Sequence, residues 1–435
     1  MDSVHNNELS YAPHSGHVSV ARTGNDYGSC QRGPISNCSC VDDGAPLIKV
    51  GLRVMTELQA HVSAVVLSEF NAPLKIESTS LPEPGPGAVV ARVDLAGVCG
   101  TDVHLHHGHL PIPLPIVLGH EGVGRIWHLG PGVHTDFSGN PLREGDAIAW
   151  SSNIPCGNCY WCVIAGERTL CETRKVYGVN QRFDEFPRLS GAWSEAIYLQ
   201  PGSAIFRLPD DLPAEHVIAL GCAGPTAVHG VIDVAGIAVG DTVVVQGSGP
   251  VGMASAMYAH LAGASQVILV GGPSGRLLLA REIGVGDVHI DIFEIPEAEE
   301  RVRLVLDATP GRRGADVVLE CAGVPAAVVE GWEMTRRGGT FLALGQYTDR
   351  GAVPLNPHLI TRKQLRIVGS WGFAEKHYLG HIEALPRLSA RFDLPRLITR
   401  YRPEDADKAL ADMASGRVMK PVLAMSAVSG ADVPN

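Results

Sequence analysis

Four cysteines, Cys156, Cys159, Cys162 and Cys171, fall within 16 consecutive residues of the sequence. Such spacing lets four thiolates converge tetrahedrally and suits a closed zinc site with no open coordination position, hence a structural one. A nucleic-acid zinc ribbon has a similar spacing, and four incidental buried thiols are the third reading. Three more residues lie far apart: Cys99 in Gly97-Val-Cys-Gly-Thr-Asp102, His120 in Gly119-His-Glu121, and Cys222 in Gly221-Cys-Ala-Gly-Pro-Thr226. Each alone reads as an ordinary buried thiol or a satisfied histidine. Together they offer two thiolates and an imidazole, a set that leaves the fourth position of zinc open for water or substrate. The acids beside them, Asp102 and Glu121, suit an outer shell that orients the imidazole and tunes the metal.

A second chemistry is written in glycine. Thr242-Val-Val-Val-Gln246 runs into Gly247-Ser-Gly249-Pro250-Val251-Gly252 and then a small-residue segment, Met253 to Ala262. Between a strand and a helix this pattern binds a dinucleotide: the first glycine permits a tight turn, the second lets backbone approach a pyrophosphate, and the third allows close helix–strand packing. The helix N-terminus then offers free N–H groups to the phosphates. An ordinary Gly-rich turn is the alternative. The acid that holds the adenosine ribose should end the next strand, about 20 residues on. Instead Val270 is followed by Gly271-Gly-Pro-Ser-Gly-Arg276, so Gly271 stands at that position and Arg276 is the nearby cation. The choice between NAD and NADP stays open, with NAD slightly favoured.

These groups need elements to hold them. The 435 residues suit about three domains at most, and 45% hydrophobic against 19% charged residues is a globular balance. Val62–Leu67 and Ala88–Val93 read as strands, and Gly- and Pro-rich connections continue to about Leu208, as in an irregular β-rich domain. From Asp211 the texture alternates strand with helix. Apolar strands at Thr242–Gln246, Gln266–Val270, Asp316–Glu320 and Thr340–Leu344 predict a doubly wound parallel sheet. The small-residue stretch Gly247–Ser265 carries His260 and reads as a buried helix rather than a membrane span. No internal repeat is present. Residues 1–55 are rich in Ser, Gly, Asn and His, lack a period, and are expected to be a disordered extension. A net charge of −11 argues against a nucleic-acid partner. No signal peptide or membrane segment is evident, and ten cysteines then point to metal and catalysis in the cytoplasm rather than to disulfides.

The ordered series Cys99-Gly-Thr-Asp, Gly-His-Glu, four spaced cysteines, Cys222 and the glycine loop resembles the zinc-dependent alcohol dehydrogenases of the medium-chain dehydrogenase/reductase superfamily. The resemblance covers roughly residues 60–427 and includes Gly145-Asp-Ala-Ile148 and Gly191-Ala-Trp-Ser-Glu195. It implies an α/β chain with a GroES-like catalytic domain over 56–223 and 369–427, a Rossmann domain over 224–368, and a short tail over 428–435. By the same resemblance Cys99, His120 and Cys222 hold a catalytic zinc, and Glu121 is an acid able to approach it. Thr101 would hydrogen-bond the substrate oxygen and His104 would relay its proton to solvent. Two zinc ions per subunit, NAD or NADP, an alcohol or carbonyl substrate and a homo-oligomer, dimer or tetramer, are implied. Leu110, Trp150 and Ser152 are pocket candidates, and the apolar residues there favour a secondary or cyclic alcohol. Two features depart from the family. The Cys162–Cys171 gap is one residue longer than usual, and Gly271 replaces the ribose acid. A zinc-free reductase of the same superfamily and a non-catalytic binding protein on this fold are the competing readings.

Overall fold

The apolar run Thr242–Gln246 forms a strand buried along its whole length. It is central to a six-stranded sheet in a computed structural model that describes residues 60–425. The expected extension, 1–55, and the tail, 428–435, lie outside the described residues. The six strands are β1 (Thr242–Gln246), β2 (Gln266–Gly271), β3 (Val288–Asp291), β4 (Ala315–Glu320), β5 (Thr335–Ala343) and β6 (Arg366–Gly369). They pair in parallel in the order β3-β2-β1-β4-β5-β6. That order reverses direction between β1 and β4, which opens a ligand crevice at their carboxyl ends. Strand β5 begins five residues earlier than the apolar pattern suggests. Thr335 pairs with Ala315 across an irregularity that absorbs Gly338 and Gly339.

Helix α1 (Pro250–Ala262) leaves the glycine loop with Gly249 as its N-cap and proline in its first turn. Nine consecutive residues from Gly252 to His260 are buried, because alanines, serine and a glycine let the sheet approach on one side and neighbouring helices on the other. Gly247 takes a φ of +109°, which a side chain would strain. A Cβ on Gly252 would stand 1.8 Å from the carbonyl oxygen of Gly247.

The other half is β-rich. A seven-stranded sheet is built on Val89–Gly97, flanked by Gly122–Leu129 on one side and by the C-terminal strand Lys420–Ala424 on the other. Ala147–Trp150, Ile205–Arg207, Ala196–Leu199 and Ile398–Tyr401 complete it. His61–Leu67 pairs with Lys75–Ser80 and with Ile116–Val117 in a separate three-stranded sheet. The late return of the chain has a local consequence: Val422 lies opposite Gly97, two residues before Cys99. Among the described residues no single helix is long and apolar enough to cross a membrane.

The two loop glycines separate packing from binding. Gly252→Ala has no room for its methyl group and should cost about 1–3 kcal/mol, read as a lower thermal midpoint. Gly249→Ala, whose Cβ would meet only a side-chain nitrogen of Arg276 at 3.6 Å, should keep the midpoint and weaken nicotinamide-dinucleotide binding instead. Equal melting of the two variants would contradict this division.

Candidate active site

Cys99 caps the N-terminus of a helix, Gly100–His106. Its Sγ accepts from the Thr101 amide at 3.3 Å, and Asp102 Oδ2 accepts from the Cys99 amide at 2.9 Å. This reciprocal cap fixes the thiol against the start of the helix. His120 follows Gly119, whose φ is +88° and whose missing Cβ makes room for the Trp193 ring. The Trp193 indole donates to the carbonyl of Gly97 at 3.0 Å, so one buried ring ties the Cys99 segment to the His120 segment. Cys222 follows Gly221, where a Cβ would collide with the carboxyl of Glu121.

These turns bring His120 Nε2 to 3.1 Å and Cys222 Sγ to 4.0 Å from Cys99 Sγ. Cys99, His120, Glu121 and Cys222 each place a ligand atom within 4.8 Å of the others. Tetrahedral zinc with bonds of about 2.0–2.3 Å needs its ligand atoms three to four ångströms apart, so the set fits the ion. Asp102 Oδ1 approaches His120 Nδ1 at 3.2 Å, close enough to orient the ring. The charges respond to one another. The hydrogen bond with Cys222, helped by the His120 charge, holds the Cys99 thiol well below its usual range. The same bond and burial hold Cys222 well above it. Burial opposes charge on His120, but the Cys99 thiolate and Asp102 outweigh it and raise the imidazole well above its ordinary value. Two thiols sharing one proton are what a cation would separate, since metal binding displaces the remaining proton.

Glu121 is engaged on both oxygens. Its Oε1 accepts from the Cys222 amide at 2.8 Å, and its Oε2 pairs with Lys420 Nζ, both side chains being fully buried. An approach to metal would draw the carboxylate away from one of these two partners. This lysine escaped the sequence reading; the signal was a lone cation opening an otherwise apolar terminal run, Lys420-Pro-Val-Leu-Ala424.

Cys156, Cys159, Cys162 and Cys171 also gather within 4.8 Å. Their lobe stands on a short ladder, Asn153–Ile154 against Lys175–Val176. Two of the thiols are driven in opposite directions: the Asn158 amide draws Cys156 down to about 6, and desolvation pushes Cys162 up to about 12. Four equivalent thiolates therefore need a cation, and an all-cysteine set suits closed zinc.

Thr101, His120 and Cys222 line a cavity of about 330 Å³ that also meets Leu344, Tyr347 and Trp371, beyond the carboxyl ends of β5 and β6. Thr101 is the second residue of the helix, and His104 sits one turn on along the same face, half-buried, with its Nδ1 3.0 Å from His109 Nδ1. Burial first, then the His109 charge, lowers the His104 imidazole. His106 and His107 are held by backbone carbonyls of Ala72 and Val103. Ser152 lines the cavity, whereas Trp150 is buried in the catalytic core and Leu110 packs against that core, so neither forms its wall. Trp150 belongs instead to the hydrophobic core, where its ring fills the space left by Gly122. Arg174, Tyr347 and Trp371, which do form the wall, carried no motif. Their only signal was position, near the cysteine lobe or just past a sheet strand.

A second cavity, about 430 Å³, follows the glycine loop past Gly247 and Gly249 to Gly271 and Arg276. Cys321 borders both cavities, its thiol pushed up to about 12 by burial. The end of β2 corrects one expectation. A Cβ on Gly271 would lie 2.7 Å from the Ser248 amide nitrogen and hydroxyl, so a carboxylate has no space there. Ser248 Oγ instead closes a two-way bond with Gly272, accepting from its amide at 2.9 Å and donating to its carbonyl at 3.0 Å. The neighbouring acid, Asp291, spends one oxygen on Ser274 at 2.6 Å and the other on the Phe293 amide at 2.8 Å. Arg276 donates to the Val418 carbonyl at 3.1 Å, yet its buried Nε has no partner and it makes no ion pair among the described residues.

Comparison with known proteins agrees with this geometry. The alcohol dehydrogenase GroES-like domain family matches residues 85–210, and the zinc-binding dehydrogenase family matches residues 250–386. The chain is 36% identical over 369 residues to 5-exo-hydroxycamphor dehydrogenase of Pseudomonas putida, covering 83% of this chain and 98% of that one. It is 33% identical to sorbitol dehydrogenase of Halalkalibacterium halodurans, over 79% of this chain and 93% of that one. An alcohol dehydrogenase structure from Thermotoga maritima superposes with a TM-score of 0.79 at 35% identity, covering 84% of this chain and 99% of the other. A zinc-binding dehydrogenase from Sinorhizobium meliloti, solved with NADP, gives 0.73 at 28% identity, covering 84% and 100%. Two matched families, one on each sheet system, and relatives aligned over nearly their full length place the chain among the zinc-dependent alcohol dehydrogenases of the medium-chain dehydrogenase/reductase superfamily, oxidoreductases that act on alcohols.

Proposed function

We propose that the chain interconverts a secondary or cyclic alcohol and its ketone, exchanging hydride with NAD or NADP. The observation that carries this reading is the single cavity in which Thr101, His120 and Cys222 face the carboxyl ends of the parallel sheet. Its apolar lining, with Val176, Val179 and Leu344, suits a ring better than a flexible polar chain. Cys99, His120 and Cys222 would hold one zinc and the four clustered cysteines another, two per subunit. Zinc in the open site supplies Lewis acidity to an alcohol oxygen. Thr101 then orients that oxygen and accepts its proton, and His104, on the same helical face, passes the proton to solvent. Glu121 acts from behind, fixing the Cys222 amide while Lys420 neutralises it. The seven described cysteines are all free thiols, which supports a reducing, cytoplasmic setting. A homo-oligomer, dimer or tetramer, and domain boundaries near 223 and 369 belong to the same proposal.

For the cofactor we propose acceptance of both dinucleotides, NAD slightly ahead. The ribose end of the second cavity lacks a free carboxylate that would repel a 2′-phosphate, and Arg276 offers a cation there. Gly271→Asp is a packing test before it is a charge test, because Ser248 occupies the space.

Three measurements check the assignments. Metal-replete protein should contain two zinc ions per chain. Cys159→Ser should retain one and melt lower, since structural zinc contributes folding free energy, whereas Cys222→Ser should lose turnover with most of the fold intact; one zinc or none in the wild type contradicts the pair of sites. His104→Gln should slow turnover at least tenfold near pH 7, where the lowered imidazole is neutral and able to take a proton; loss of zinc in that variant would make His104 a ligand instead. Arg276→Leu should lower kcat/KM for NADP at least tenfold more than for NAD, a ratio equal to about 1.4 kcal/mol. Equal losses would put Arg276 against a part common to both cofactors.

A further inference from the structure

One wall of the substrate cavity carries a cation that the reaction does not use. Arg174 follows Cys171 by three residues and lines the cavity together with Thr101 and His120. Its backbone carbonyl accepts from Asn180 Nδ2 at 3.1 Å, and its own Nη1 donates to the Thr169 carbonyl at 2.7 Å, so both ends of the residue are anchored. The guanidinium lies 5.9 Å from the centre of the Trp371 ring, and Trp371 stacks on Tyr347 at 5.2 Å with the planes 15° apart. This makes a stack of three flat groups along the cavity. Arg174 is half-buried and makes no ion pair among the described residues. Burial pushes its guanidinium down, and the nearby Tyr347 and Cys171 only partly offset it.

A guanidinium has five donors in a planar fork, and Thr169 takes one of them. The remaining donors are not sealed from solvent, and an acceptor oxygen on a ligand in the cavity that Arg174 lines can take them. The same cavity is lined by Val176, Val179 and Leu344 as well as by the polar Asn153, Asn180 and Gln346. We propose that Arg174 is a specificity-determining residue that selects alcohols bearing a second acceptor oxygen, a ketone or a carboxylate, remote from the reacting hydroxyl. The inference rests on the alcohol-dehydrogenase reading of the cavity and narrows it from cyclic alcohols in general to oxygenated ones. Sites built to hydrogen-bond a substrate group discriminate strongly against analogues lacking it, because their own donors are then unpaired.

The test uses the zinc-loaded full chain and three alcohols: cyclohexanol, 4-hydroxycyclohexanone and 4-hydroxycyclohexanecarboxylate. At least one acceptor-bearing alcohol should exceed cyclohexanol in kcat/KM by tenfold or more, and Arg174→Met should bring that ratio to within threefold of unity. The ketone arm and the carboxylate arm show which oxygen the site takes. Arg174→Lys, which keeps the charge but not the fork, should restore an advantage to the carboxylate alone. Thermal melting of each variant confirms that it is folded. Calorimetric titration with cyclohexanone and cyclohexanecarboxylate gives a reading without turnover, in which Arg174→Met should weaken the favoured ligand at least tenfold. Equal kcat/KM for all three alcohols overturns the proposal, as does a ratio unchanged in Arg174→Met. A change confined to the cofactor KM overturns it too, by placing the guanidinium on the cofactor. Arg174-dependent ligand binding with no oxidation of any alcohol would refute the dehydrogenase reading while leaving the acceptor site standing.

Discussion

The buried pair of Glu121 and Lys420 is the constraint on which the site depends. Four chain segments meet there: the Gly97 turn before Cys99, the His120–Glu121 corner, the Gly221–Cys222 turn, and the terminal strand that brings Lys420. A charge in such a place is tolerable only with its partner, and losing one partner of a buried pair costs about 3–5 kcal/mol. The pair therefore couples the last strand to the first ligand loop. It also explains two glycines by contact rather than by turn type, since a Cβ at Gly97 or Gly221 would occupy the carboxyl group. Burial opposes the charge on Lys420, but Glu121 and the two cysteines beyond it keep the ammonium charged. The metal-ligand cluster, rich in negative donors, thus has a fixed cation behind it.

Trp193 performs the complementary task on the other side. Its ring fills the space left by Gly119 and its indole N–H reaches the Gly97 carbonyl. The Gly191–Glu195 motif follows from this demand. A Cβ on Gly191 would meet the Val117 carbonyl at 2.2 Å, Ser194 closes onto the carbonyls of Gly191 and Ala196, and Glu195 accepts from the Ser63 amide. The Cys99 and His120 segments are set by rigid packing from one side and by a buried charge pair from the other. Little freedom is left for the ligand atoms, which is what a preorganised metal site requires.

How much of this could be read beforehand varied with the range of the interaction. The strand Thr242–Gln246 was legible residue for residue, because a central parallel strand is apolar on both faces and its glycine loop needs specific residues at fixed offsets. The gathering of the four cysteines was legible from their spacing, whereas that of Cys99, His120 and Cys222, far apart in the chain, was legible through the family resemblance. Trp150 misled, since the core beside Gly122 claims a ring that its position near the cavity suggested for the wall. Lys420 was illegible for another reason: nothing local says that a lysine near the C-terminus will face Glu121 across 299 positions of sequence. Gly271 was read as standing where the ribose acid is usual, and the reading could not show that Ser248 fills the space beside it. Sequence spacing located the position but not its neighbour in space.

The four-cysteine lobe and the substrate cavity are joined in a way that bears on what a structural metal is for. The lobe begins at Cys156 and ends at Cys171, and its two ends are the strands Asn153–Ile154 and Lys175–Val176, which pair with each other. Ser152, Asn153, Arg174 and Val176, all cavity residues, sit on or beside that ladder. Two-residue strands contribute few hydrogen bonds and would not hold a wall by themselves. Arg168, from within the lobe, adds a paired contact to Glu375 at 2.8 Å, tying the lobe to the helix Glu375–Arg391. Closing the lobe on a cation would thus restrain both ends of a short ladder whose residues line the cavity. On this physical account, a site with no open coordination position bears on the shape of the cavity proposed for the substrate, by holding its wall still.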